Sequence, residues 1–384
     1  MKPEEILSQM ALDPEIAYLD HAAFSPLPKK TNELLQGLLK GKAQFGTLAP
    51  EFDILKMLQE DIPEGLQLIS NLIGGDPNGI GFTRSTLQGI HTVVEGLPWQ
   101  AGDSLIINDL EFTTNSFVHQ VIAKKYGLDL RIVSNENGIL KLEDFEKLID
   151  EQTRIVALSY VQFSNGFRSP VSEIAKLVHE VGGYLLIDGI QAVGAMPINC
   201  KEEGIDALAT GAYKWGMGPF MTGFLWVAET LREILVPSFV GWWSAEDPFQ
   251  MSHHEFVPNK SGQHFEPSPS FTVLGMIESF DFLLNIGLSN VFSNILAATD
   301  HLVKRCEEAD ININSSLEPS HRSGIVNIGW PGMDAVEIWK QLKQELIAVS
   351  PREGGIRVSP HAYNTEEDID RLINALEVLK RNTP

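Results

Sequence analysis

Lys214 is the residue best placed in this sequence to act as a nucleophile. It lies in Ala209–Trp215 (ATGAYKW), after a β-rich run and before the glycine-rich stretch GMGPFMTGFLWV. Glycines let backbone approach a ligand closely, and a partly buried amine there loses its proton readily and becomes nucleophilic. Upstream, the apolar run in Tyr184–Gly194 (YLLIDGIQAVG) delivers Asp188 at its carboxyl end, with Gln191 on the turn that leaves it. Ligands of open α/β sheets bind outside the carboxyl ends of strands, where an aspartate can pair with a cationic ring nitrogen. In Gly81–His91 (GFTRSTLQGIH), Ser85 and Thr86 stand where a helix begins. Hydroxyls and free N–H groups at a helix start make a phosphate site. Phe112, just past the β-like run Ser104–Asn108, can stack on a flat ring. Each residue also has a plainer reading: a solvated lysine, a turn-capping aspartate, an ordinary N-cap, a core phenylalanine. Neither GxGxxG nor GxxxxGK occurs, so a phosphate at Ser85 and Thr86 requires a ligand other than those such loops bind.

Such residues need a scaffold that brings several strand ends to one edge. From about Gly79 to Ala228 short β-like runs alternate with helical patterns. The runs are Ser104–Asn108, Leu130–Ser134, Arg154–Tyr160, Tyr184–Asp188, Ile205–Thr210 and Gly223–Ala228, with amphipathic stretches such as Ser172–Val181 between several of them. The alternation predicts an α/β fold with a largely parallel sheet. Uninterrupted apolar strands such as YLLI require cover on both faces. Pro237–Pro269, with its prolines and the pair Trp242 and Trp243, breaks the pattern and reads as a long connection. Beyond it Val273–Leu284 is helical, and a last helix follows Thr365 as N-cap and runs to about Lys380. A chain of 384 residues suits about two domains. We expect a large α/β domain over 16–258 and a smaller α+β domain made of 1–15 and 259–384.

The net charge of −22 repels phosphate backbones and argues against a nucleic-acid partner. The two cysteines, Cys200 and Cys306, form no CxxC pattern, which excludes a disulfide framework or a cysteine-rich zinc site and fits a reducing compartment. His253, His254 and His264 lack the carboxylate or cysteine spacing of a metal site, so no metal is expected. The opening MKPEEILSQM lacks the apolar core of a signal peptide, and no apolar run approaches the ~20 residues that span a bilayer. The expectation is a cytoplasmic protein with no membrane partner.

The order and spacing of these elements together are more specific than any one of them. Helix-start hydroxyls, an aromatic, Asp-x-x-Gln and then a lysine on the next strand resemble the fold-type I pyridoxal-phosphate enzymes. More narrowly, the chain is similar to the class V aminotransferase family, which includes cysteine desulfurases, kynureninases and isopenicillin-N-epimerase-like proteins. The resemblance runs from Tyr18–Pro26 (YLDHAAFSP) to Ile356–Leu372 (IRVSPHAYNTEEDIDRL). It implies pyridoxal 5′-phosphate as cofactor, joined to Lys214 as a Schiff base, with Asp188 on the pyridinium nitrogen and Gln191 near the phenolate oxygen. It implies Phe112 stacked on the ring, Ser85 and Thr86 on the phosphate, and Gln162, Thr210 and Tyr213 in the cofactor's surroundings. Ser268, in His264–Ser270 (HFEPSPS), matches an element that in relatives reaches the phosphate of a neighbouring subunit, so a homodimer is implied. Arg357 matches the arginine that holds a substrate α-carboxylate, a task suited to its fork of donors, with His21 and Ala22 on the substrate side.

The sequence also departs from the family pattern. Tyr213 replaces a histidine that often precedes the lysine, and Gly211 stands where serine is common, next to Thr210. Where relatives carry an asparagine facing the cofactor, VQFSNG has Phe163, with Gln162 and Asn165 as alternative substitutes. The stretch Ile347–Arg357 (IAVSPREGGIR) is short and has no cysteine, which argues against a cysteine desulfurase. Arg352, in the same stretch, is a second candidate for the carboxylate. Trp242 and Trp243 read equally as pocket lining or as packing. The expected activity is transamination of an α-amino acid, with a 2-oxo acid as acceptor. A lyase, an epimerase or a non-catalytic cofactor-binding protein are the alternatives.

Overall fold

The structure is a computed structural model that describes residues 1–49, 53–250, 255–268 and 270–381. Its strands, in chain order, are β1 (Ala17–Tyr18), β2 (Ile80–Thr83), β3 (Ser104–Asn108), β4 (Asp129–Val133), β5 (Thr153–Ser159), β6 (Tyr184–Asp188), β7 (Ala207–Gly211), β8 (Gly223–Val227), β9 (Asn312–Ile313), β10 (Val326–Gly329), β11 (Ile347–Ala348), β12 (Ser350–Arg352) and β13 (Gly355–Val358). Seven form one sheet in the order β2-β8-β7-β6-β5-β3-β4. Only β8 runs against its neighbours, so the sheet is mainly parallel, as the alternation of patterns predicts.

The apolar runs are continuous because the sheet is covered on both faces. Along β5, Val156 and Leu158 enter one core while Ile155 and Ala157 enter the other; Leu185 and Ile187 part from Leu186 along β6 in the same way. The helix Val273–Ile286 belongs to the first of these cores through Val273, Met276, Phe280 and Leu283. β7 starts two residues later than the run Ile205–Thr210 suggests. The Asp206 carboxylate turns back to accept from Leu185 N at 2.8 Å and contacts His179 Nε2 at 2.8 Å, which holds that residue outside the ladder.

A second, antiparallel sheet has the order β12-β13-β10-β9. β1 pairs in parallel with β11, and Asp20 bridges to Ser359, so residues 17–20 run beside the C-terminal part of the chain. The last helix is Glu366–Arg381, and the Thr365 N–H just before it donates to Asp368 Oδ2 at 3.2 Å. Among the described residues no single helix is long and apolar enough to cross a membrane.

The long connection is not loose where it meets the sheet. Glu266 is buried against β2: Oε1 accepts from Phe82 N at 2.8 Å and Oε2 from Trp243 Nε1 at 3.1 Å. Trp243 is therefore a packing residue, while Trp242 stays half-exposed. Burial pushes the Glu266 carboxyl up from 4.5 to about 8. Between those values the folded chain keeps a proton that the unfolded chain has lost, so stability falls as pH rises. Wild type should lose urea resistance between pH 5 and pH 9, and Glu266→Gln should remove that part of the slope. An identical slope in the variant would refute the assignment.

Candidate active site

Six strands end at one edge of the large sheet, and the carboxyl ends of five of them lead to residues of the candidate site. β2 leads to Arg84, Ser85 and Thr86; β3 to Glu111 and Phe112; β5 to Tyr160–Gln162; β6 ends on Asp188; β7 leads to Tyr213 and Lys214. The register sets Asp188 opposite Ser159 on one side and Ala209 on the other.

The helix Thr86–Gly96 starts with Ser85 as its N-cap, whose Oγ accepts from Gln88 N at 3.2 Å. Gly89 lets this helix lie close on β7, since a Cβ there would come within 2.8 Å of Ala209 Cβ. Arg84 Nη2 donates to Ser268 Oγ at 3.1 Å within the same chain, which brings Ser268 beside the helix start. On the far side of Lys214, Gly194 takes φ +93° and approaches so closely that a Cβ would lie 2.5 Å from the Trp215 carbonyl oxygen.

Lys214 is partly buried, and among the described residues its amine has no hydrogen bond or ion pair. Burial, reinforced by the charge of Arg357, holds its pKa below the usual lysine value, and Asp188 opposes this. Asp188 shifts the other way: burial raises its carboxyl, and the charge of Glu111 adds to the effect. Among the described residues its Oδ1 accepts only the Ile190 N–H, at 3.0 Å.

Glu111 was not anticipated. Its carboxylate is buried and accepts from Asn108 Nδ2 at 2.6 Å, Asn115 Nδ2 at 2.6 Å, Ser159 N at 2.7 Å, Ser159 Oγ at 2.6 Å and Gln162 Nε2 at 3.1 Å. Full satisfaction is what makes a buried charge tolerable. The network ties the ends of β3 and β5 together and orients Gln162. Its sequence signal was slight: an acid just past a buried strand, beside Phe112.

Gln162 and Asn165, left open as alternatives, now separate. Asn165 is committed to the fold, donating to the Gly138 carbonyl at 2.8 Å and accepting from Phe167 N at 3.1 Å. Gln162 is buried, and with its Nε2 on Glu111 its Oε1 has no partner. Phe112 is half-exposed and meets Phe163 edge-on at 5.1 Å between ring centres. Tyr213 is partly buried, with its ring stacked on Phe220 at 5.1 Å. Gln191 braces the surroundings: its Nε2 donates to the Ala22 carbonyl at 3.1 Å, and its Oε1 accepts from Trp215 Nε1 at 2.9 Å. Thr210 Oγ1 donates to the Gly211 carbonyl at 3.1 Å. Both His21 nitrogens are engaged, Nδ1 with the Ser359 carbonyl at 2.9 Å and Nε2 with the Tyr363 hydroxyl at 2.8 Å. That ring joins the N-terminal segment to the C-terminal one.

Arg357 is almost wholly buried. Nη1 donates to the Phe163 carbonyl at 2.9 Å and Nη2 to Asp20 Oδ1 at 3.3 Å, while Nε has no partner. Burial brings its pKa down to about 10, so it stays cationic near neutrality. An arginine can receive a carboxylate with two parallel bonds, and here Nε is left unpaired among the described residues. Asp20, held also by Ser350 Oγ at 2.7 Å, has its carboxyl raised by burial against the pull of Arg357.

Among the described residues no three His, Cys, Asp or Glu side chains come together as a metal site; His253 and His254 lie outside the described residues, and His264 stacks on Phe265. The donor set suits pyridoxal phosphate. Buried polar atoms without partners include Thr83 Oγ1, Thr86 Oγ1, Gln162 Oε1 and Arg357 Nε. An unmatched buried polar group costs about 1–3 kcal/mol, and these four follow, close or lie on the strands that lead to the expected site residues, which fits a ligand there. Thr86 Oγ1 and the helix start suit its phosphate, Asp188 its ring nitrogen and Lys214 its aldehyde.

Comparison with known proteins agrees with this geometry. The fold is that of the fold-type I pyridoxal-phosphate enzymes. The model of the aminotransferase class-V family matches residues 17–372, and the chain belongs to that family. It is 25% identical to a probable cysteine desulfurase of Methanothermobacter thermautotrophicus, over 98% of each chain. It is also 25% identical to the isopenicillin N epimerase of Streptomyces clavuligerus, again over 98% of each. A solved structure of the cystine C–S lyase C-DES, with glycine covalently linked to its PLP cofactor, superposes with a TM-score of 0.87 at 20% identity, covering 96% of this chain and 98% of that one. The protein is thus a pyridoxal-phosphate-dependent enzyme of class V.

Proposed function

We propose that the enzyme acts on an α-amino acid by transamination, with Lys214 as its one base. The observation that carries this reading is the Lys214 amine, which has no partner among the described residues and feels the charges of Asp188 and of Arg357, whose Nε is unpaired. Arg357 binds the α-carboxylate and so orients Cα toward Lys214. Lys214 Nζ, favoured in its neutral form by burial, takes the Cα proton. Pyridoxal phosphate, when bound, supplies a ring that accepts the electrons left behind. Asp188 keeps that ring's nitrogen protonated. Phe112 and Phe163 present no acid or base of their own. Transamination requires only this one base.

A lyase is the second reading, favoured by the names of the relatives. Against sulfur transfer from cysteine stand Cys200 and Cys306, both buried in apolar cores. Half-exposed aromatics near the site, Phe24, Phe112 and Phe220, support a homodimer that covers them. The deciding experiment incubates the loaded enzyme with amino acids, with and without a 2-oxo acid. Transamination gives at most one equivalent of 2-oxo acid per site until an acceptor is added, and no ammonia. Catalytic ammonia without acceptor would establish a lyase, and racemised amino acid an epimerase.

A further inference from the structure

The hairpin β12–β13 carries two arginines on one face. Ser350 pairs with Arg357, and Arg352 with Gly355. Side chains alternate along a strand, so Arg352 shares a face with Ser350 and lies diagonal to Arg357. That face is turned toward the site, since Ser350 and Arg357 both hold Asp20 and Arg357 also reaches the Phe163 carbonyl.

The two arginines differ in what they hold. Arg357 is buried and anchored, with its Nε unpaired among the described residues. Arg352 is half-buried, and the one hydrogen bond of its guanidinium among the described residues is from Nη1 to its neighbour's carbonyl, that of Pro351, at 2.6 Å. It forms no ion pair with any described residue, and its donors are otherwise free. Its charge is nevertheless felt at Lys214, Asp20 and Arg357. Asp20 is committed to Ser350 and Arg357, and Glu111 is saturated by five donors. Asp188 closes β6 and accepts the Ile190 N–H. None of these three carboxylates forms an ion pair with Arg352.

We propose, building on the roles given above to Lys214 and Arg357, that Arg352 receives a second carboxylate at the end of the substrate's side chain, so that the substrate class is a dicarboxylic α-amino acid. With the α-carboxylate on Arg357 and Cα beside Lys214, the side chain extends along the hairpin face. One or two methylene groups then carry its acid to the neighbouring guanidinium. A charge-assisted pair of this kind discriminates strongly against an uncharged amide of the same shape.

The test uses the holoenzyme and reads the visible spectrum of the bound cofactor. L-Aspartate, L-glutamate, L-asparagine, L-glutamine and L-alanine are titrated into wild type, Arg352→Ala, Arg352→Lys and Arg357→Ala. We expect wild type to bind at least one acid about tenfold or more tighter than its amide. Arg352→Ala should lose that preference while binding alanine and the amides within about twofold of wild type. Arg352→Lys should keep part of the preference, and Arg357→Ala should weaken every amino acid. Equal binding of acids and amides by wild type would overturn the inference while leaving the amino-acid reading intact. An Arg352→Ala variant that weakens alanine as much as the acids would also overturn it, because Arg352 would then serve the α-carboxylate. No spectral response to any amino acid would sink the underlying reading as well.

Discussion

Lys214→Ala should lower kcat by on the order of 10⁴-fold, the combined loss of a positioned base and of the covalent attachment point. The protein should still fold and still bind pyridoxal phosphate without a covalent bond. The helix start at Ser85 and Thr86, which we propose as the phosphate site, and the carboxylate of Asp188 are unchanged by the substitution. Most lysines that form ion pairs here, such as Lys125 with Glu95 and Lys147 with Asp144, do so at the surface. Lys214 has no such partner and is held in a less protonated state by burial and by Arg357. Wild type loaded with cofactor should be yellow, and borohydride should bleach the colour and leave a stable adduct. Peptide mass spectrometry should place that adduct on Lys214 and find none in the variant. An adduct on another lysine, or undiminished turnover in Lys214→Ala, would refute the assignment.

The large sheet was legible because burial on both faces leaves an unmistakable mark: short continuous apolar runs, each followed by turn residues. The same logic placed Asp188, since a charged residue closing such a run has to emerge at the sheet's edge. Lys214 and Ser85 became legible through the glycines and hydroxyls beside them. What sequence did not reveal are residues whose roles depend on contacts distant along the chain. Glu111 is an ordinary acid in a loop until Ser159 and Gln162 arrive from another strand. Asp20 gains its place from Ser350 and Arg357, more than three hundred residues away. Gln191 and His21 fall in the expected motifs, yet their side chains engage Trp215, Ala22, Ser359 and Tyr363, bonds that local sequence does not encode. The choice between Gln162 and Asn165 also depended on partners: Gly138 occupies one, and Glu111 orients the other.

Asp188→Asn should cut kcat by on the order of 10² or more, the usual scale for removing an electrostatic contact at a reacting centre, while weakening cofactor binding far less. A neutral amide cannot hold a proton on the ring nitrogen, so electrons arriving from Cα would find a poorer acceptor. The helix start at Ser85, proposed to hold the phosphate, is untouched. The surroundings sharpen this expectation. Asp188 is buried, its one hydrogen bond among the described residues is the Ile190 N–H, and burial, with the nearby charge of Glu111, discourages its ionisation. A carboxyl under that pressure gains most from a cationic partner, so a protonated ring nitrogen and an ionised Asp188 stabilise each other. The amide keeps the hydrogen bond from Ile190 and the shape of the side chain, and loses only that mutual effect. Steady-state kinetics, with cofactor affinity measured by fluorescence on the same variant, separate the two contributions. If Asp188→Asn turned over at close to the wild-type rate, the aspartate would be no more than a cap for the turn at Ile190.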